Sequence, residues 1–126
     1  MIGDPVGDLL TRIRNAAQAQ AVELKSPYSR LREEIVRVLK EEGYVESFKK
    51  EGNELVIVLA YSRRKPLITG IKNVSKPGLR IYRKSGKLPR PLGGVGISVV
   101  STPRGVMSGG KAWKEKLGGE VLALVW

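Results

Sequence analysis

The sequence predicts an α+β protein of two small domains that pack together: an N-terminal α-β-α-β-β domain and a C-terminal, mostly antiparallel β domain with one short helix. The first half contains two stretches with apolar residues at helical spacing, whereas short β-rich stretches separated by Pro and Gly fill the second half. The basic, proline-marked segment 63–66 separates two very different compositions. We therefore predict domains over residues 1–64 and 65–126.

Both predicted helices begin with a capping residue followed by a proline. Asp4 precedes Pro5, and apolar residues then recur at helical spacing as far as about residue 19. Ser26 and Pro27 repeat this pattern at the start of a second helix, which Gly43 is placed to end.

Three strands complete the first domain. Residues 21–25 can form a short strand between the two helices. Residues 45–50 and 55–61 have strand character and flank turn-forming residues at 51–53, which predicts a hairpin.

Short strands and turns account for the start of the second domain. A strand over 68–74 is followed by a turn at 75–78, which contains a Pro-Gly pair. A second strand over 79–84 is predicted to enter a hairpin closed by 85–87, and the Pro- and Gly-rich residues 89–96 form an irregular crossing.

The end of the chain is predicted to add two strands and one helix. Residues 97–101 are β-branched and apolar, and residues 120–126 form a strongly apolar final strand. Between them, residues 106–116 are predicted to form a weak helix interrupted by glycines.

The distribution of charge indicates a polyanionic partner. Residues 63–126 hold fourteen Lys and Arg and two acids, a net charge of +12, whereas residues 1–62 hold nine basic and ten acidic side chains, a net charge of −1. Because the surplus lies in one half, it can act as a single field, and nucleic acid is the first partner to consider. A basic surface that serves only solubility is the alternative.

Composition excludes several other classes of protein. The chain has no Cys and no His, so it lacks disulfides, a thiol nucleophile, thiolate metal sites and the commonest general acid/base. No apolar run reaches the length of a membrane span, and the start of the chain lacks the pattern of a signal peptide. We expect a cytoplasmic protein that is not an enzyme and carries no metal or cofactor.

Two segments of the basic half are candidates for RNA contact. In the strand 79–84, Arg80 and Tyr82 share a face, where a ring beside cations can meet a sugar or base and its phosphates. Ser101 and Thr102 are predicted at a strand-to-helix junction, where hydroxyls can reach ribose or base edges and Arg104 a phosphate. An ordinary half-buried strand and a Ser/Thr helix cap are the respective alternatives.

Two further patterns point to other chemistry. Residues 105–112 match a phosphate loop in spacing, but Ala112 replaces the hydroxyl residue that would bind magnesium. Asp4 and Asp8 could serve a metal-dependent nuclease, although capping and the helix dipole explain acids in a first turn. A module that binds protein or a membrane surface through its first-domain helices is the other rival.

An ordered set of motifs resembles bacterial small-subunit ribosomal protein eight, from one end of the chain to the other. The matching segments are Asp4-Pro5 with Asp8–Asn15, Lys40–Tyr44, Ser75–Tyr82, Gly96-Ile97, Ser101-Thr102 with Gly105–Met107, and Leu117–Glu120. The resemblance implies a two-domain protein that binds the central domain of small-subunit ribosomal RNA directly and early in assembly, beside neighbouring ribosomal proteins. It also implies repression of its own operon through a similar shape in the messenger RNA.

The resemblance also implies which residues contact RNA. They are Ser101 and Thr102 of the Ser-Thr loop, Gly118, Gly119 and Glu120 of the Gly-Gly-Glu segment, Arg80 and Tyr82 of the basic-aromatic strand, and Ser29 and Arg30 at the start of the second helix. Two departures stand out. Pro103 replaces a third hydroxyl residue, and Ser108-Gly109-Gly110 replaces the usual Thr-Asp-Arg opening of the following helix.

Overall fold

A computed structural model of the chain describes residues 4–90 and 94–126. Part of the predicted crossing at 89–96, residues 91–93, therefore lies outside the described residues. The described elements, in chain order, are α1 (Pro5–Gln18), β1 (Glu23–Pro27), α2 (Arg30–Glu41), β2 (Val45–Glu51), β3 (Glu54–Leu59), β4 (Tyr61–Ser62), β5 (Lys65–Pro66), β6 (Ile71–Asn73), β7 (Tyr82–Arg83), a 3-10 turn (Ser85–Lys87), β8 (Ile97–Thr102), β9 (Gly105–Ser108), α3 (Gly109–Lys114) and β10 (Gly119–Val125).

The strands form two larger antiparallel sheets and one two-stranded ribbon. The first sheet has the order β1-β3-β2, and the second has the order β6-β10-β8-β9, with β7 also paired to β10. Strands β4 and β5 pair with each other. This arrangement confirms the α+β class. Within the described residues, no helix is long and apolar enough to cross a membrane.

One continuous apolar core contains residues from both halves of the sequence. Helix α2 packs against β2 of the first sheet and β9 of the second, and α1 packs against β1 and β6. Buried side chains of this core include Leu9, Ile13, Ile35, Leu39, Leu55, Ile57, Leu59, Ile71, Val99, Val106, Ala123 and Val125. The helices thus link the two sheets, and the division into domains at residues 64 and 65 stays a prediction.

The predicted ends of the first helix and the end of the second are confirmed. The carboxylate of Asp4 accepts a hydrogen bond of 2.8 Å from the Gly7 backbone N–H, as an N-cap does. Gly43 has a φ of +87°, and the N–H of Tyr44 donates to the carbonyl of Leu39, so α2 ends in a Schellman motif.

The predicted start of α2 at Ser26 is wrong. Ser26 is fully buried in β1, where its hydroxyl accepts a hydrogen bond of 2.8 Å from Arg32. The N-cap is Ser29, whose hydroxyl accepts from the Arg32 backbone N–H at 3.2 Å. Ser29 therefore caps α2, because Arg32 of the same helix holds Ser26 in β1.

Three predictions in the second half are also corrected. The strand over 79–84 shrinks to Tyr82–Arg83, because only these two residues pair with the start of β10. Leu79 instead forms an isolated bridge with Lys76 and is 63% exposed. Residues 85–87 form a 3-10 turn and do not close a hairpin. The strand over 68–74 shortens to Ile71–Asn73.

The helix predicted over 106–116 begins later than expected. Gly105, with a φ of +115°, lets the chain turn back after β8, so residues 105–108 form β9 beside it. Helix α3 starts at Gly109, with Ser108 as its N-cap accepting from the Lys111 N–H at 3.2 Å. Gly109 packs so closely on the Ser98 hydroxyl that a Cβ would clash. This contact explains why a glycine occupies position 109.

A charged network joins α1, β1 and α2. The Asp8 carboxylate accepts from Arg32 at 2.7 Å and from Arg12 at 2.8 Å, and the same Arg32 guanidinium donates to Ser26. The side chain of Arg32 is only 9% exposed, so its charge needs this partner. The hydrogen bond from Arg32 is the main cause of a lowered pKa of Asp8, opposed by partial burial.

Replacing Asp8 with Ala is expected to destabilise the protein by about 1–3 kcal/mol at neutral pH, because a nearly buried guanidinium loses its acceptor. A carboxyl whose pKa is lowered by folding contributes stability above its unfolded value of 3.8, and that stability is lost as the pH falls through the folded value. Urea unfolding should therefore show a difference in the free energy of unfolding between parent and variant, and this difference should disappear as the pH falls below about 4.

The exposed Glu46 of β2 provides a matched control, since Glu46→Ala removes an acid without such a partner. Its effect should stay within about 0.5 kcal/mol. If the difference for Asp8→Ala persisted unchanged at low pH, the assigned role of the Asp8–Arg32 pair would be contradicted.

Candidate nucleic-acid interface

Three of the predicted contact residues lie side by side across neighbouring strands. In the register of the second sheet, Glu120 of β10 is opposite Tyr82 of β7 on one side and opposite Ser101 of β8 on the other. Directly opposed residues in antiparallel strands project from the same face. Tyr82, Glu120 and Ser101 thus form a cross-strand row on one face of the sheet.

The row combines an exposed ring, a paired carboxylate and a half-buried hydroxyl residue. Tyr82 is 64% exposed, and Ser101 is intermediate. The Glu120 side chain is only 16% exposed, and its carboxylate accepts a hydrogen bond of 3.2 Å from Arg80, whose side chain is about half exposed. Arg80 therefore neutralises the acid of the row and adds a cation at its border.

Gly118 and Gly119 allow β10 to approach both neighbours. A Cβ on Gly118 would lie 2.6 Å from the Arg83 carbonyl oxygen, and one on Gly119 would overlap the carbonyl oxygen of Ser101. Neither φ is in the left-handed region, so close packing is the reason for glycine at these two positions. The Gly-Gly pair thereby sets the spacing on which the cross-strand row depends.

The hydroxyl of Thr102 is engaged within the β8–β9 turn. Thr102 is 9% exposed, and its Oγ1 donates to the Gly105 carbonyl at 2.7 Å and accepts from the Arg104 N–H at 3.1 Å. Pro103 and Arg104 are exposed at the tip. Since this is a tight turn between strands, the expectation of a helix N-terminus directly beside Ser101 is wrong.

The tip of this turn is tied to the end of α3. The guanidinium of Arg104 lies 3.7 Å from the carboxylate of Glu115, although the Arg104 side chain is 72% exposed. A charge held near the surface in this way remains accessible to a phosphate.

An open groove of about 630 Å³ runs beside the row. It is lined by Tyr82, Arg83, Lys84, Ser85, Lys116, Gly118 and Gly119, and none of these described residues is acidic. We call this feature the basic groove. Lys116 enters it because a φ of +58° turns the chain after α3. In the sequence, Arg83 and Lys84 are recognisable only as part of the predicted strand 79–84. Lys116 was not predicted as a contact residue, and the charge surplus of the second half was the available signal for it.

Ser29 and Arg30 belong to a different element from the row. Ser29 caps α2, and Arg30 is exposed in its first turn. Further along α2, the Glu34 carboxylate lies 3.9 Å from the position a Cβ would take on Gly105. Helix α2 thus passes the β8–β9 turn, but within the described residues no hydrogen bond or ion pair joins Ser29 or Arg30 to the row.

The two rival motifs have structural explanations. The phosphate-loop spacing at 105–112 falls on β9 and the first turn of α3, so no loop connects strand and helix there. Asp4 caps α1 and Asp8 pairs with Arg12 and Arg32. Among the described residues, no group of three or more acids or other metal-ligating side chains could hold a metal ion.

Comparisons with known proteins give one consistent result. Residues 4–126 match the family model of ribosomal protein S8. The chain is 49% identical to small ribosomal subunit protein uS8 of Roseiflexus castenholzii, over 99% of this chain and 98% of that protein. It is 49% identical to the protein of the same name from Solibacter usitatus, over the full length of both, and 45% identical to that of Halalkalibacterium halodurans, over 98% and 97%.

Substituting Gly119 with Ala is expected to destabilise the second sheet, because the added methyl group meets the Ser101 backbone. Overpacking of this kind costs about 1–3 kcal/mol, which urea unfolding can measure. Gly86→Ala is the control, since a Cβ there meets nothing within 4 Å, and it should leave stability nearly unchanged. Equal stability of the two variants would show that β10 does not need a glycine at its first position.

Proposed function

The chain belongs to the ribosomal protein S8 family, and from that premise we propose that the cross-strand row and the basic groove bind the central domain of small-subunit ribosomal RNA. As a member of this family, the protein is a structural, non-enzymatic component of the small ribosomal subunit in the cytoplasm. It associates there with ribosomal RNA and other ribosomal proteins.

The observation that carries this proposal is the register that aligns Tyr82, Glu120 and Ser101 beside an acid-free basic groove. A ring, a hydroxyl residue and several cations on one face match the parts of an RNA surface: a base or ribose face, a 2′-hydroxyl and the phosphates. A surface kept basic for solubility does not require this alignment.

The proposed recognition separates affinity from selectivity. Arg83, Lys84 and Lys116 hold phosphates, which supplies affinity that depends on salt but not on sequence. Ser101 and Tyr82 contact an irregular element of a helix from its shallow minor groove, where ribose hydroxyls and base edges are accessible. The RNA is therefore read mainly by shape.

The other residues that the resemblance indicates have supporting roles in this scheme. Thr102 acts by ordering the turn that presents Ser101 and Arg104, and the Gly118-Gly119 backbone brings RNA close to β10. Glu120, already paired with Arg80, holds that guanidinium at the edge of the row. Ser29 and Arg30 make a separate phosphate contact from α2.

Two finer parts of the proposal concern when and where the protein binds. Direct binding of the RNA early in assembly requires a site that is formed before other proteins bind. The cross-strand row meets this requirement because it lies on paired strands of one sheet. Repression of the protein's own operon follows if the messenger RNA presents the same shape, because the site would not distinguish the two molecules.

Ser101→Ala is expected to weaken binding to a central-domain RNA fragment by about 3- to 10-fold, the effect of one lost hydrogen bond. Log affinity should fall linearly with log salt, and the variant should keep the slope of the parent, since no phosphate contact is removed. Filter binding at several salt concentrations measures both quantities. Ser47→Ala on the exposed β2 strand is the matched control and should bind like the parent.

Lys116→Ala is expected to have the complementary effect, with lower affinity and a salt slope reduced by about one. Lys49→Ala, on β2 of the first sheet, should leave the slope unchanged because that residue lies outside the basic groove. Parent-like binding by both Ser101→Ala and Lys116→Ala would refute the proposed site. A last measurement tests for metal-dependent nuclease activity. Recovery of intact RNA after incubation with the protein and magnesium would exclude that activity.

A further inference from the structure

A second aromatic side chain is exposed close to the basic groove. Trp113 of α3 is 54% exposed, and the guanidinium carbon of Arg90 lies 5.6 Å from the centre of its ring. A half-exposed indole is costly to leave in water, and an Arg at this distance makes a cation–π contact. Neither residue belongs to the site proposed above.

The two side chains border a small cavity. A notch of about 220 Å³ is lined by Ser85, Gly86, Leu88, Pro89, Arg90, Gly109 and Trp113, and we call it the tryptophan notch. Among these described lining residues, Arg90 is a cation and none is an acid. Gly109 forms part of its wall because α3 packs directly onto the Ser98 side chain of β8.

The tryptophan notch and the basic groove have one lining residue in common. Ser85 lines both cavities, Trp113 of α3 borders the notch, and Lys116, in the turn after α3, borders the groove. The two cavities therefore lie next to each other at Ser85.

The surroundings of the notch favour a polyanion over a protein. Lys87 and Lys114 lie on the turn and the helix that border it, and within the described part of the chain neither of them, nor Arg90, forms an ion pair with an acid. Lys111 of the same helix lines a different cavity, beside Glu41 and Glu42. Glu115, which follows this helix, is paired with Arg104, and Glu42 lines a separate cavity on the other side of Pro89 and Arg90. An aromatic ring among unpaired cations is typical of surfaces on which single-stranded bases stack.

From these observations we infer that the tryptophan notch binds an unpaired nucleotide of RNA, with the base stacked on Trp113 and Arg90 and its phosphate held by the neighbouring lysines. The inference rests on the proposed function, because the nucleotide would belong to the RNA that occupies the basic groove. The stacking contact would tolerate any base sequence, since every base has a face that can stack. It would add to a site that otherwise recognises the shape of the RNA.

The test uses the full-length protein and an adenine hexanucleotide, with inorganic hexaphosphate as an anion that has no bases. The chain has two tryptophans, Trp113 and Trp126, so stacking on Trp113 should quench part of the fluorescence. We expect quenching by the hexanucleotide and none by hexaphosphate. Trp113→Phe should abolish the quenching but retain binding of a labelled hexanucleotide, measured by anisotropy, because the smaller ring still stacks.

Trp113→Ala is expected to weaken binding of the hexanucleotide about tenfold, with an unchanged salt slope. Because Trp113 is half exposed, the variant should unfold at the same urea concentration as the parent. Val22→Ala, which also trims a 61% exposed apolar residue, is the matched control and should bind normally. Normal binding by Trp113→Ala, or equal quenching by hexaphosphate, would overturn the inference. Contact of Trp113 with a neighbouring protein would then be the alternative.

The same variants separate this inference from the proposed function. If the central-domain fragment loses affinity with Ser101→Ala but not with Trp113→Ala, the proposed function stands and the notch is not part of it. If the fragment does not bind and the hexanucleotide still requires Trp113, the proposed function fails and the notch binds single strands independently.

Discussion

Close backbone packing around β10 is the constraint on which the rest of the second sheet depends. This strand pairs with β6, β7 and β8, and the absence of a side chain at Gly118 and Gly119 lets it lie against the backbones of residues 83 and 101. Without that approach, Glu120 could not be opposite both Tyr82 and Ser101. The chemistry of the face is thus determined by two residues that contribute no functional group.

The first half of the fold could be predicted well because its signals are local. The cap at Asp4, the apolar stripes of the helices and the glycine at Gly43 act within a few residues, so they can be recognised in the sequence alone. The misplaced start of α2 shows where this fails. Ser26 and Ser29 are equally good caps, and the choice between them depends on the contact of Ser26 with Arg32, which in turn pairs with Asp8 from another helix.

The candidate site was predicted in its residue types but not in its geometry. Charge and an alternating strand indicated Arg80 and Tyr82, and a hydroxyl pair at a predicted strand-to-helix junction indicated Ser101 and Thr102. The family resemblance added Glu120 and the glycines. The alignment of these residues depends on pairing between segments about 20 and 40 positions apart, which no periodicity reveals. For Thr102, the prediction from residue type differs from the structure. Its hydroxyl was expected to contact a ligand, but it forms hydrogen bonds with the backbone of its own turn.

The central position of β10 also has a consequence for the timing of folding during synthesis. Strands β6 and β7 precede β10 in the chain, and within the described residues each is paired only with β10 in this sheet. They have no partner while the nascent chain is still short of residue 119, and only the β8–β9 hairpin can form locally. A growing polypeptide therefore cannot assemble the cross-strand row before β10 has left the exit tunnel.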